Sequence, residues 1–179
     1  MSVNRLLGGG SWFPNTTFFG ALPPAFVGLG RQIDASGEKM GFLISVPKTG
    51  TIESVEFRCA GVSQNPGSNG IRISLQDVSL TTGNPDETQD QFRDILAGIS
   101  SGAWVNPGKV TSDGTDNGTL RSVTKGQLLA VVWEFVSFQS GSDFTISLLD
   151  AAPSNPPYFC HKTGGSWSKE SYPPVIGLR

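Results

Sequence analysis

The sequence predicts an all-β protein, an antiparallel jelly-roll-like β-sandwich with an extended N-terminal arm. Apolar and polar residues alternate along residues 51–59 and 71–77, as they do in strands that bury one face. The turn-forming tetrapeptide Pro-Lys-Thr-Gly at residues 47–50 precedes the first of these runs. Glycine and proline supply 23 and 12 of the 179 residues, which is typical of short strands joined by tight turns.

Strand signals recur along the chain from residue 40 onwards. They fall at residues 40–46, 51–59, 71–77, 103–105, 120–124, 127–138, 144–148, 158–161 and 175–178. Lys125-Gly126 predicts a hairpin-like turn between two of these runs. Residues 88–98 carry both helical and strand spacing, and the surrounding pattern favours a strand. Eight to ten short strands separated by turns are the pattern of a β-sandwich.

The inward and outward faces of two strands can be assigned from the alternation. The predicted core face carries Val55, Phe57, Ile71, Ile73 and Leu75. The predicted outward face of the later strand carries Arg72, Ser74 and Gln76.

Residues 1–37 are predicted to form an arm, and residues 38–179 the sandwich domain. No charged residue occurs from Leu6 to Gly30, and prolines exclude a helix through most of this stretch. Two interpretations stay open: the arm adds edge strands to its own sandwich, or it docks on a neighbouring subunit. For the second, the candidate anchors are aromatic. They are Trp12, Phe13, Phe18, Phe19 and Phe26.

Charge and hydropathy exclude several classes of partner. Lys and Arg number 13 against 15 Asp and Glu, and they form no basic cluster of the kind that binds nucleic acid. No apolar run approaches the ~20 residues of a membrane-spanning helix. The first residues lack the apolar core of a signal peptide, so we expect synthesis and folding in a cytoplasm.

His161, the one histidine, is predicted to be structural. A strand places Cys160 and His161 on opposite faces, so these two side chains cannot form a catalytic dyad. Cys59 is the other cysteine, and the spacing of the pair matches no zinc or redox motif. Free, buried thiols are favoured, and a disulfide between them stays open.

Acidic and aromatic residues give weaker candidates for a site. Residues 84–94 and 112–118 could offer oxygen ligands to calcium, but their Asp, Asn and Gly are also what tight turns require, and we favour turns. Candidates for a pair of glycosidase carboxylates are Asp77, Asp86, Glu87 and Glu134, which the sequence cannot bring together. Aromatic side chains near loops could stack on sugars or simply pack at the ends of the sandwich. These are Trp104, Tyr158, Trp167 and Tyr172. No cofactor and no metal is predicted.

Several turn-rich motifs resemble a β-sandwich module of the structural proteins of tailed bacteriophages. They are residues 47–50 (PKTG), 55–57 (VEF), 74–78 (SLQDV), 82–86 (TGNPD), 112–118 (SDGTDNG) and 165–169 (GSWSK). The resemblance covers roughly residues 41–178. It implies a virion decoration, fibre or tail protein without catalytic residues, assembled in the host cytoplasm and located in the virion.

The leading hypothesis is therefore a virion structural protein that binds other virion subunits through its arm. A homo-oligomer is expected, with a trimer as one arrangement typical of fibres and spikes. The alternative is a carbohydrate-binding module in host-surface adhesion. A hydrolase is disfavoured, because the chain has one histidine and no Gly-x-Ser-x-Gly motif.

Overall fold

The computed structural model describes residues 19–20, 27–63, 70–149, 158–170, 174 and 176–178. Within these ranges the secondary structure consists of strands and turns, without helix. The strands are β1 (Phe19–Gly20), β2 (Val27–Ile33), β3 (Lys39–Ser45), β4 (Gly50–Ile52), β5 (Val55–Ser63), β6 (Ile71–Asp77), β7 (Gln91–Ile95), β8 (Trp104–Val105), β9 (Arg121–Val123), β10 (Leu128–Phe135), β11 (Asp143–Leu149), β12 (Tyr158–Thr163), β13 (Ser166–Glu170) and β14 (Ile176–Leu178). The all-β class predicted from the sequence is confirmed.

Two six-stranded sheets form the body. Sheet one has the order β1-β14-β5-β11-β2, with β8 also paired to β5. Sheet two has the order β13-β12-β3-β10-β6-β7. A small third sheet pairs β4 with β9. All strand pairs of the three sheets are antiparallel, as expected, while the jelly-roll connectivity stays a prediction.

The core lies between sheets one and two. Phe57 of β5 makes edge-to-face contacts with Phe144 of β11 and, across the sandwich, with Trp133 of β10, at ring-centroid distances of 5.8 and 6.1 Å. All three side chains are fully buried. The five residues predicted on the core face are each 0% exposed, which confirms that assignment. The period-two pattern therefore identified side chains that are buried between the two sheets.

The outer face of sheet two carries a second, smaller apolar cluster. Its members are Leu43, Val78, Ala130, Val132 and Cys160, with Trp167 packed against them. Residues 79–90, here named the covering loop, pass over this face. Pro85 is buried there, and the Glu87 amide donates to Gln76 Oε1 at 3.1 Å. Ser74 and Gln76 therefore lie on the predicted outward face yet are 0% exposed, because the covering loop shields them.

Two predictions were wrong, one about the extent of a strand and one about strand pairing. Residues 51–59 form no single strand: β4 and β5 are separate and belong to different sheets. Lys125-Gly126 does not close a hairpin, since β9 pairs with β4 whereas β10 pairs with β3 and β6. The Gly126 amide donates instead to the Val46 carbonyl oxygen at 2.8 Å, so the turn is anchored to the end of β3. Residues 88–98 include β7, in agreement with the strand prediction.

Part of residues 1–37 belongs to the sheets. β2 pairs with β11, and the two residues of β1 pair with β14. β1 and β2 therefore agree with the interpretation in which residues 1–37 add edge strands to their own sandwich. Among the predicted arm anchors, Trp12, Phe13, Phe18 and Phe26 lie outside the described residues, and Phe19 is described by its backbone only. The described ranges contain no helix long and apolar enough to cross a membrane.

Candidate functional site

Six residues, one from each strand, form a straight row across the outer face of sheet two. Each stands directly opposite its neighbour in the register, so their side chains share one face. In strand order from β13 to β7 they are Trp167, Lys162, Lys39, Glu134, Arg72 and Asp94. This row is named the outer ladder. Apart from Lys162 and Trp167, which share a hairpin, its neighbouring residues are at least 22 positions apart in sequence, and strand pairing brings them together.

Opposite charges alternate along the outer ladder from Lys39 to Asp94. Lys39 Nζ lies 2.8 Å from Glu134 Oε2. Arg72 donates through Nε and Nη2 to the two oxygens of Asp94, at 2.7 and 2.8 Å, and through Nη1 to Gln89 Oε1 at 2.7 Å. The hydrogen bond with Asp94 is the main cause that raises the pKa of Arg72. Planar, bidentate geometry of this kind holds β6 and β7 in register.

Two like charges are neighbours next to that stretch, because Lys162 stands opposite Lys39. Glu87 of the covering loop lies against both of them: Lys162 Nζ donates to its Oε1, and Lys39 Nζ lies 3.8 Å from its Oε2. Trp167 Nε1 donates to the same Oε1 at 3.1 Å. The Lys162 hydrogen bond is the largest cause that lowers the pKa of Glu87. One loop carboxylate thus ties an indole and two ammonium groups together.

The backbone of Glu87 is strained. Its φ of 68° lies in the left-handed region, which residues other than glycine adopt infrequently. The contacts of its amide with Gln76 and of its carboxylate with Lys162 hold it there. Strain of this sort persists where surrounding contacts over-determine the conformation, and it concentrates at functional positions. Glu87 therefore combines a left-handed backbone conformation with contacts to Gln76, Lys162 and Trp167.

The predicted sugar-stacking residues do not form one platform. Trp167 lies on β13 in sheet two, whereas Trp104 lies on β8 opposite Arg58 in sheet one and is 39% exposed. Tyr158 begins β12, but its side chain is outside the described part, as is the whole of Tyr172. The structure places Trp167 beside two charged side chains, Glu87 and Lys162.

A second group of charged side chains surrounds His161, which points toward the core side of β12. Arg31 Nη2, from β2, donates to His161 Nδ1 at 2.6 Å and also lies 2.9 Å from Glu170 Oε1. His161 Nε2 is 3.8 Å from Glu38 Oε1. Arg31, Glu38, His161 and Glu170 are named the edge cluster. Because the guanidinium can only donate, Nδ1 accepts and the imidazole is neutral, with its proton on Nε2.

The edge cluster superficially matches a hydroxyl–imidazole–carboxylate arrangement. Thr163 Oγ1 lies 3.2 Å from His161 Nδ1, and Glu38 faces the other nitrogen. Arg31 already occupies the Nδ1 lone pair that a general base would need. Burial first and the Arg31 charge second lower the pKa of His161. The geometry fits the structural histidine predicted from the sequence.

Both cysteines are free and buried, on different sheets. Cys59 lies in the core on β5, and its thiol donates to the Gly61 carbonyl at 3.3 Å. Cys160 lies on the outer face of β12, opposite in direction to His161 as predicted, and donates to the Gly41 carbonyl at 3.3 Å. Burial is the main cause that raises the pKa of Cys59 to about 11 and of Cys160 to about 12.

The acidic loops show turn chemistry and ion pairing. Asp113 Oδ1 accepts from the amide and the hydroxyl of Thr115, both at 2.9 Å, and these contacts lower the pKa of Asp113. In residues 84–94, Asp90 pairs with Arg121 at 2.9 Å and Asp94 with Arg72. Among the described residues no group of three or more His, Cys, Asp or Glu side chains is arranged to hold a metal ion.

These observations define an antiparallel β-sandwich module in which ion pairs join neighbouring strands and Arg31 joins the two sheets. Comparisons with protein-family models, with curated proteins and with solved structures gave no match.

Proposed function

We propose that the chain is a structural module of a tailed-bacteriophage virion, a decoration, fibre or tail component that binds neighbouring subunits through its N-terminal segment. The observation that carries the proposal is the placement of the two strands from that segment. β1 and β2 stand at the two ends of the order of sheet one. β1 and the first residues of β2 belong to the uncharged, aromatic residues 6–30, and both strands lie at sheet ends, where further chains can pair or pack.

The covering loop and the paired charges support the same proposal. The contacts described for the outer ladder and the edge cluster join strands, sheets and a loop to one another. A rigid body of this kind suits display on a particle, where binding is left to an attached segment. Trp12, Phe13 and Phe18 precede β1 and are the proposed anchors.

Deletion of residues 2–18 tests this proposal, because it removes three anchors and keeps both β1 and β2. We expect the truncated chain to fold, with unchanged far-ultraviolet circular dichroism, and to lose incorporation into particles when expressed with the other virion proteins. Leu80→Ser, at a loop residue 91% exposed, is the matched control for removing apolar surface elsewhere. Incorporation of the truncated chain at the wild-type level would refute the role of the arm. Analytical ultracentrifugation of both proteins reports whether the same segment also drives a trimer.

A glycan-binding function is the second candidate, and Trp167 favours it. An indole flanked by a carboxylate and an ammonium group, here Glu87 and Lys162, offers both stacking and hydrogen bonding to sugar hydroxyls. On a glycan array, Trp167→Ala should then abolish binding and Trp104→Ala should not. Absence of any binding by the correctly folded wild-type protein would exclude this candidate.

A further inference from the structure

The edge cluster joins the two sheets at one side of the sandwich. Arg31 comes from β2, the last strand of sheet one, whereas His161 and Glu170 come from β12 and β13 at the end of sheet two. Glu38 comes from the turn between β2 and β3. This set of side chains therefore bridges the last strands of both sheets.

The imidazole accepts hydrogen bonds at Nδ1, whereas its other nitrogen, Nε2, has no hydrogen-bond partner among the described residues. His161 Nε2 and Arg31 Nε are buried and have no hydrogen-bond partner among the described residues. The His161 side chain is 6% exposed, and its nearest carboxylate oxygen, Glu38 Oε1, is 3.8 Å away. The other oxygen of Glu38 is occupied by the amides of Asp34 and Ala35, at 2.9 and 3.1 Å. Glu38 is thus fixed by its own turn and does not close on the ring.

Protonation of His161 would replace an attraction by a repulsion. A proton on Nδ1 removes the acceptor that Arg31 Nη2 now contacts at 2.6 Å and brings two positive charges together. The charged groups facing the ring are Arg31 from β2, Asp34 and Glu38 from the turn, and Glu170 from β13. Thr163, on the same strand, is neutral. The three carboxylates attract an imidazolium, but the Arg31 contact cannot survive its formation.

We propose that the edge cluster is an acid-sensitive latch, in which protonation of His161 displaces Arg31 and loosens β2 from β12 and β13. Because the uncharged segment ends within β2, at Gly30, the latch would couple acidity to the part of the chain that leads to the proposed anchors. The latch itself depends only on the described contacts and not on the proposed function.

The direction of the pH effect follows from the burial and the Arg31 charge, which lower the pKa of His161 from its ordinary value of 6.5. The unfolded chain binds a proton at the ordinary pKa, and the folded chain binds it only at a lower pH. The contribution of the latch is therefore complete above about pH 6.5 and is lost as the pH falls from there through the folded pKa.

Two measurements on the full chain test the latch. His161 is the one histidine, so a single imidazole proton resonance followed by NMR gives its pKa in the folded protein. Hydrogen–deuterium exchange, corrected for the intrinsic effect of pH, gives protection factors between about pH 7.5 and about pH 5.5, the range in which histidine titrates. We expect a pKa below 6.5. We also expect protection of β2 and β13 to fall on acidification, by up to about tenfold over this range, while β10 changes less.

Two variants separate the latch from general acid effects. His161→Gln keeps an acceptor and cannot be protonated, so the fall in β2 protection should disappear. Thr163→Val removes the hydroxyl contact but leaves Arg31 and His161 in place, so it should respond to acid like the wild type. The latch would be overturned by a folded pKa of 6.5 or higher, or by equal acid responses of wild-type and His161→Gln proteins. If His161→Gln does not fold, the pKa and the wild-type exchange pattern decide the question.

Discussion

Lys39 on β3 stands directly opposite Glu134 on β10, with Nζ 2.8 Å from Oε2, on a face of the sheet where both side chains are mostly shielded from water. Their side chains are 14% and 13% exposed. Because water screens the charges of such a shielded ion pair only weakly, breaking it costs more than breaking an exposed one. The pair thus links β3 to β10 at the middle of the outer ladder.

Glu134→Gln should therefore lower the free energy of unfolding, by about 1–3 kcal/mol, because it leaves the Lys39 ammonium partly buried with a weaker partner. Urea unfolding measures the change. In a double-mutant cycle with Lys39→Met, the double variant should lose less than the sum of the two single changes. Asp116→Asn is the control, since that carboxylate pairs with Arg93 but is 66% exposed, and it should change stability little. Equal losses at Glu134 and Asp116 would contradict the role of shielding.

Gly41→Ala should destabilise the protein through a clash on the outer face of sheet two. A Cβ at this position would lie 2.8 Å from Cys160 Sγ, 3.1 Å from Pro85 Cγ and 3.2 Å from Trp167 Cζ3. Overpacking of this kind costs about 1–3 kcal/mol. Gly61→Ala is the matched control, because the nearest atoms there belong to Thr145 at 3.7 Å. Thermal unfolding should show a lower midpoint for Gly41→Ala alone, and Cys160→Ala in that background should recover part of the loss. No recovery would show that the thiol is not the obstacle.

Phe57→Ala should be among the most damaging single changes. The ring contacts Phe144 and, across the two sheets, Trp133, and it is fully buried. Truncation of a buried phenylalanine costs about 3–5 kcal/mol through lost transfer energy and the cavity left behind. Chemical denaturation gives the value, and Leu128→Ala, at a residue 46% exposed on β10, provides the comparison. Similar costs at the two positions would argue against the described core.

The two thiols should be unreactive in the folded protein. Burial raises the pKa of both, to about 11 for Cys59 and about 12 for Cys160, and the reacting species is the thiolate. A chromogenic disulfide reagent near neutral pH should react slowly with the native chain and with two thiols per chain in denaturant. The same assay on Cys160→Ser, which leaves Cys59 as the one thiol, shows which cysteine reacts at which rate. A thiol that reacts rapidly in native protein, or a chain that shows no thiols when unfolded, would contradict free and buried cysteines.

The elements predicted correctly are those with local signals. The faces of β5 and β6 follow from alternation, and β7 was recognised despite its mixed spacing. β2 falls within the residues assigned to the arm, because that assignment was based on the absence of charged residues and on the prolines, and not on strand alternation. β13 was missed since its sequence, Ser-Trp-Ser-Lys-Glu, has a single apolar residue. The false hairpin at Lys125-Gly126 arose because turn residues indicate where a chain reverses and do not indicate which strands then pair.

The candidate sites could not be predicted in the same way. The sequence named Glu134 as a candidate carboxylate and Trp167 as a candidate surface aromatic. Their neighbours, however, depend on cross-strand register. Lys39 meets Glu134 across 95 positions of sequence, and Arg31 meets His161 across 130.

The sequence by itself determined that this protein is built from antiparallel strands and which faces of the clearest strands are apolar, because side-chain alternation is a property of each strand alone. Only the tertiary structure decided that the covering loop shields Ser74 and Gln76, that six strands align the outer ladder, and that one histidine bridges two sheets. Those contacts depend on which strands pair and in what register, and the free energy that selects the pairing comes from the whole core and not from any local segment.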